Sequence, residues 1–259
     1  MKSNGDIESI RPYPSPAVTV RLDEITYWSE GLRVKGLLAR PLQQQGTEAL
    51  LYLRGGLQSI CMVRPSRIVQ FAQQGFVVFA PYYRGNRGGE GRDEFAGADR
   101  FDAVYAVDVL KQFIDVDNVH IYGFSRGGVM ALWTAILRND IASIVVWAGA
   151  TDIVATYWDR IDMRRGLKRI VGGTPNKVLQ SYEDRTPLHE VAEIHAPVLI
   201  IHGTHDEHVD IDHAYKLEFC LQEEQKQVET WYSFGLTHHY PPAINRETVR
   251  KLCEWMKKQ

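Results

Sequence analysis

The chain has 259 residues, 44% hydrophobic and 24% charged, a balance that excludes global disorder and suits one large core. Thirty Lys and Arg against 32 Asp and Glu leave a net charge of −2, which excludes an overall basic field for nucleic acid or an anionic membrane. Cys61, Cys220 and Cys253 form no CxxC pair, and neither an apolar leader nor a bilayer-length run is visible, so a soluble cytoplasmic protein is expected.

Residues 1–23, polar and spaced by Pro12, Pro14 and Pro16, read as an N-terminal arm before a single domain over 24–259. Residues 24–38 read as a hairpin about Ser29-Glu30-Gly31. Beyond Gly46, short apolar runs at 49–53, 76–80, 119–122, 143–147, 198–201 and 230–234 alternate with longer segments. Those segments, at 65–74, 101–114, 127–137, 211–222 and 246–258, carry apolar residues near helical spacing. The alternation predicts an α/β fold, a mostly parallel sheet of about eight strands with helices on both faces. Such sheets bind ligands on loops leaving the carboxyl ends of their strands. Residues 151–196 break the pattern with charge and aromatics. They predict a helical insertion ahead of the strand at 198–201, either a roof over a pocket or a solvated excursion.

The clearest motif is Gly123-Phe124-Ser125-Arg126-Gly127-Gly128, preceded by the strand run and followed by the helix that starts at 127. Strand, GxSxG and helix in that order make a sharp turn that lifts a serine hydroxyl above a sheet, with glycines two before and two after it relieving crowding. A hydroxyl needs a base to take its proton and an acid to orient that base. The expected order is Ser, acid, His. Asp206 is the first carboxylate beyond the strand at 198–201, and His238 follows the last strand; Asp210 and His239 are their local competitors.

With these residues in view, the chain from about Thr26 onward resembles the prolyl oligopeptidase-type branch of the α/β-hydrolases. Arg84-Gly85-Asn86-Arg87-Gly88-Gly89-Glu90-Gly91 is similar to that family's Arg-Gly-Ser-x-Gly-x-Gly stretch, and Arg185-Thr186-Pro187-Leu188 to its Ser-Pro segment. His202-Gly203-Thr204-His205-Asp206 matches its His-Gly-x-x-Asp motif, and Thr237-His238 stands where it has Gly-His. The resemblance implies a serine hydrolase with Ser125, Asp206 and His238 as its triad. It departs at Arg126, usually aromatic in the family, and at Arg54-Gly55-Gly56-Leu57, where relatives have His-Gly-Gly-Pro or a tyrosine variant. A tyrosine hydroxyl is therefore not available to an oxyanion, and two backbone N–H groups are expected instead, those of Arg126 and Gly56.

Two other classes compete. The run from His202 to His213 holds enough imidazole and carboxylate to suggest a metal-dependent hydrolase, and a hydrolase fold also serves non-catalytic binding proteins. Residues 85–91 lack phosphate-loop spacing, and no cofactor is expected. The expected partner is a small ester or short peptide, without nucleic acid or membrane, and a homo-oligomer is compatible with the sequence. Arg54 and Arg126 are candidates to pair with a substrate carboxylate, and Tyr157, Trp158 and Tyr240 to wall the pocket.

Overall fold

The computed structural model describes residues 2–43, 48–58, 60–114 and 119–259. The strands are β1 (Ile7–Tyr13), β2 (Val20–Ser29), β3 (Leu32–Pro41), β4 (Ala49–Leu53), β5 (Val77–Pro81), β6 (Val119–Phe124), β7 (Ile141–Trp147), β8 (Val198–Gly203) and β9 (Val228–Ser233). Among the described residues they form one sheet in the order β1-β2-β3-β5-β4-β6-β7-β8-β9. Pairing is antiparallel from β1 to β5 and parallel from β5 to β9. The expected α/β-hydrolase fold is therefore present, with nine strands rather than about eight.

The additional strand comes from residues expected to be an arm. β1 pairs with β2, and β2 itself starts at Val20, so residues 7–13 and 20–23 belong to the sheet. Alternation is weak in β1, because an edge strand with exposed faces needs no apolar side. The hairpin between β2 and β3 is tighter than predicted. Ser29 pairs with Leu32 across a two-residue loop whose Glu30 and Gly31 have φ of 51° and 74°, the left-handed pair that matches strand twist. The boundary read at Gly46 lies outside the described residues.

β4 and β5 are buried along their whole length, as their unbroken apolar runs require. On one face, α1 (Pro65–Ala72) and α8 (Pro242–Met256) cover Leu50, Val78, Val145 and Trp147. On the other, α2 (Arg100–Lys111), α3 (Gly127–Ile136) and α7 (Asp212–Glu223) cover Leu51, Phe79, Ile121 and Ile144. The region expected as an insertion carries α4 (Ile153–Asp159), α5 (Arg164–Val171), α6 (Leu179–Glu183) and a 3-10 segment, Pro187–Glu193. Arg84 of the glycine-rich stretch forks onto buried Asp102 of α2, with Ser29 Oγ also donating to that carboxylate at 2.6 Å. This cluster clamps the β2–β3 turn and the loop after β5 against α2.

Candidate active site

Ser125 stands between β6 and α3 with φ of 56°, a left-handed conformation costly for any residue with a Cβ. The surroundings hold it there: its N–H donates to the Trp147 carbonyl at 3.1 Å, and its carbonyl accepts from Gly128 and Ala150. A side chain at Gly123 would lie 2.2 Å from the Gly127 carbonyl oxygen, so strand and helix can close this turn only with glycine.

β8 delivers the acid and β9 the imidazole. His205 N–H donates to Leu236 O and Thr204 N–H to Ser233 O, which ties the loop after β8 to the loop after β9. Asp206 Oδ2 accepts from His238 Nδ1 at 2.8 Å, and its Oδ1 accepts the N–H groups of His208 and Val209 at 2.8 and 2.9 Å. Burial of this carboxylate, 0% exposed, disfavours its charge. Hydrogen bonds from His202 and His238, the His238 charge and the Val209 N–H outweigh that and hold it below the usual carboxylate range. His202, read from the sequence as part of the family motif and of the His/Asp run, braces the acid instead: its Nε2 donates to the Val209 carbonyl at 2.9 Å and lies 3.3 Å from Asp206 Oδ2. His239 is instead exposed and stacks on Phe124, and Asp210 Oδ1 accepts the Asp212 N–H just ahead of α7.

Ser125 and His238 line one cavity of about 420 Å³ together with Gly55, Gly56 and Arg126. No hydrogen bond joins Ser125 Oγ to His238 among the described residues; such contacts often shorten only when substrate is bound. A Cβ at Gly55 would sit 2.8 Å from Ser125 Cβ, so the Arg54-Gly55-Gly56 loop passes directly over the hydroxyl. From the segment 151–196, Thr156, Asp159, Arg160, Met163 and Gly166 line this cavity. None of the three expected walls is part of it. Tyr157 is buried against Tyr182, and half-exposed Trp158 packs edge-on against Tyr157; Tyr240 lines a neighbouring chamber.

Neither predicted carboxylate-binding arginine is free for a substrate. Arg126 is buried, donating to Asp93 at 2.8 Å, to Asp99, and to the Gly56 carbonyl at 3.1 Å. Burial opposes its charge, yet Asp93 and Asp99 raise its pKa further. Arg54 donates to the carbonyls of Tyr82 and Gly55, and both guanidiniums lie over the Tyr83 ring. Asp93 also accepts from the Gln58 N–H at 3.0 Å. The network therefore braces the loop over Ser125. Asp93 and Asp99 were missed because nothing in their spacing announces a partner 27 to 33 residues away.

The His/Asp run from 202 to 213 does not converge. His213 Nδ1 faces Thr151, His202 faces Val209 and Asp206, and no group of three metal-ligating side chains forms among the described residues. The metal-dependent reading thus has no ligand set. Also among the described residues, no helix is long and apolar enough to cross a membrane.

A strained serine and an acid-anchored histidine at the carboxyl ends of a mostly parallel sheet place the fold among the α/β-hydrolases. Solved structures agree. A puromycin-hydrolyzing peptidase of Mycobacterium tuberculosis superposes with a TM-score of 0.74 at 21% identity, over 92% of this chain and 39% of that one. An acetyl xylan esterase from Paenibacillus sp. R4 does so with a TM-score of 0.77 at 15% identity, over 96% and 89%. Residues 62–259 match the prolyl oligopeptidase family, and the chain belongs to it, a serine hydrolase by that membership. It is similar to "Uncharacterized peptidase YtmA" of Bacillus subtilis (strain 168), 54% identical over 250 residues, 95% of this chain and 97% of that one.

Proposed function

We propose that Ser125, His238 and Asp206 act as a relay that cleaves small carboxylic esters and acyl or peptidyl amides through an acyl-enzyme. The carrying observation is the 2.8 Å bond between His238 Nδ1 and buried Asp206, on the cavity that strained Ser125 also lines. That bond puts the proton on Nδ1 and leaves Nε2 free to take the Ser125 proton and later give it to the leaving group. The N–H groups of Arg126 and Gly56 hold the oxyanion. In support, the Gly56 carbonyl is pinned by the Arg126 side chain, which presets the loop before substrate arrives. A fluorophosphonate probe tests nucleophile, base and oxyanion donors together: it should modify Ser125, and Ser125→Ala should go unlabelled and lose about a million-fold in kcat. An unlabelled wild type would return the chain to the non-catalytic binding class. Cytoplasmic residence belongs to the same proposal, supported by three free cysteines.

Esters are expected to outrun unblocked dipeptidyl anilides, because an alkoxide leaving group needs less protonation than an amine. One observation favours a second reading, aminopeptidase action. Asp159 lines the acyl cavity, and burial together with Asp210, Asp152 and Asp212 raises its carboxyl, a setting an ammonium would relieve. Comparing kcat/KM for an aminoacyl anilide and its N-acetyl form, in the wild type and in Asp159→Asn, distinguishes the two. The aminopeptidase reading needs a preference for the free amine that the substitution removes.

A further inference from the structure

A second chamber of about 240 Å³ lies against the other side of the His238 loop. It shares Gly55, Cys61, Phe124, His238 and His239 with the acyl cavity, but Ser125, Gly56 and Arg126 do not line it. Its walls are aromatic: Tyr52 stacks on Tyr122 at 5.0 Å, and Trp147 meets Tyr122 edge-on at 6.2 Å. The indole Nε1 of buried Trp147 has no hydrogen-bond partner among the described residues.

Arg64 and Arg67 line it alongside Arg54, and no acidic residue does. Among the described residues neither Arg64 nor Arg67 has a carboxylate within ion-pair distance. Arg67 Nη1 donates to the neutral Asn245 Oδ1 at 3.0 Å, which orients the guanidinium without neutralising it. Partial desolvation lowers the His239 pKa, and the charges of His238, Arg67 and His208 lower it further against the opposing charge of Asp206. The contrast with Arg54 and Arg126, each enclosed by its own partners, is chemical. Here exposed Arg64 and half-buried Arg67 line the chamber with no carboxylate paired to either among the described residues.

Acyl transfer gives the two chambers different tasks. The acyl carbonyl must lie with the nucleophile and the oxyanion donors, whereas the leaving group must lie where His238 can protonate it. The second chamber has His238 and lacks the oxyanion donors. We propose that it is the leaving-group site, and that Arg64 and Arg67 select a leaving group bearing a carboxylate. The amide substrate of choice is then an acyl- or peptidyl-amino acid cut at its last bond. The released residue lays an apolar or aromatic side chain on Tyr52 and Tyr122 and its α-carboxylate between the arginines. This proposal rests on the Ser125 relay. The amide C–N bond breaks as Ser125 Oγ bonds the acyl carbon, and the hydroxyl proton travels through His238 to the departing nitrogen. Water then cleaves the ester and restores the hydroxyl, so water is the only co-reactant.

The test compares N-acetyl-phenylalanyl-phenylalanine with its C-terminal amide, so that only the carboxylate changes. The wild type should favour the free acid in kcat/KM by roughly tenfold to a hundredfold, the size of one or two hydrogen bonds to a charged group. The Arg64→Gln, Arg67→Gln double variant should lose that preference through a slower free-acid reaction, and Arg67→Lys should keep part of it. Fluorophosphonate labelling of every variant separates the two readings. A protein neither labelled nor active means the relay reading has failed. Labelling at the wild-type rate overturns the leaving-group site alone if acid and amide turn over equally, if the preference survives the double substitution, or if neither peptide is cleaved.

Discussion

Replacing Asp206 by Asn alters one atom of the carboxylate, and the structure dictates which way the amide turns. Oδ1 accepts two backbone N–H groups, from His208 and Val209, so an NH₂ there would meet two donors at under 3 Å. The amide oxygen therefore takes that position and the NH₂ takes the place of Oδ2. It then faces His238 Nδ1, 2.8 Å away, and His202 Nε2–H, 3.3 Å away. His238 must present a bare Nδ1 to this donor, which moves its proton to Nε2, the nitrogen that should accept from Ser125. The base is lost while its position is kept. In a serine-protease triad the same change of tautomer costs about 10⁴ in kcat, and a loss of that order is expected here, smaller than for removal of Ser125 or His238. Steady-state hydrolysis of p-nitrophenyl acetate supplies kcat, and the rate of fluorophosphonate labelling follows the nucleophile without a deacylation step. Asp206→Asn retaining more than about a tenth of wild-type activity would refute the relay. The sign of the linked stability is also set. The Asp206 carboxyl is depressed in the fold, so its contribution is complete above its unfolded value, about 3.9, and is lost as pH falls toward its lower folded value. Asp206→Asn should remove that part of the acid sensitivity.

Gly55→Ala should place a methyl 2.8 Å from Ser125 Cβ and 3.1 Å from Phe124 O. We expect about a hundredfold loss in kcat/KM at a stability cost of about 1–3 kcal/mol, measured by ester hydrolysis and urea unfolding. Arg126→Met leaves Asp93 and Asp99 buried without their shared cation and should destabilise the protein by about 3–5 kcal/mol in urea titration, with activity falling as the Gly56 loop loosens. His239→Ala should leave kcat within about tenfold of wild type, since His239 makes no bond to Asp206 and is exposed. His213 is buried with its pKa lowered to about 4, burial being the main cause. The unfolded chain therefore binds more protons between about pH 4 and 6.5, so stability should fall as pH drops through that window and His213→Asn should flatten the slope.

Local chemistry was enough to mark the elements that carry the site. A five-residue unbroken apolar run such as 49–53, too short for a typical helix and alternating with helical segments, reads as a strand buried on both faces, and it is β4 residue for residue. Gly123 and Gly127 flank Ser125 because the turn brings their backbones together, so the elbow was legible from five consecutive residues. The order Ser, Asp, His at the ends of β6, β8 and β9 was legible too, because parallel strands all deliver their loops to one edge. Other features depend on neighbours distant in sequence. β1 carries almost no apolar signal and is a strand because β2 offers it a free edge. The charge on Arg126 looked available to a substrate, and only the packed structure brings Asp93 and Asp99 to it and turns it into a brace for the loop over Ser125. Tyr157 and Trp158 read as pocket walls from their aromatic character, yet the turn of α4 directs Thr156 and Asp159 to the cavity instead. Strand and turn identity follow from short-range backbone sterics and burial. Which charges meet, and which faces enclose a cavity, are set by contacts tens of residues apart, where sequence spacing carries no distance.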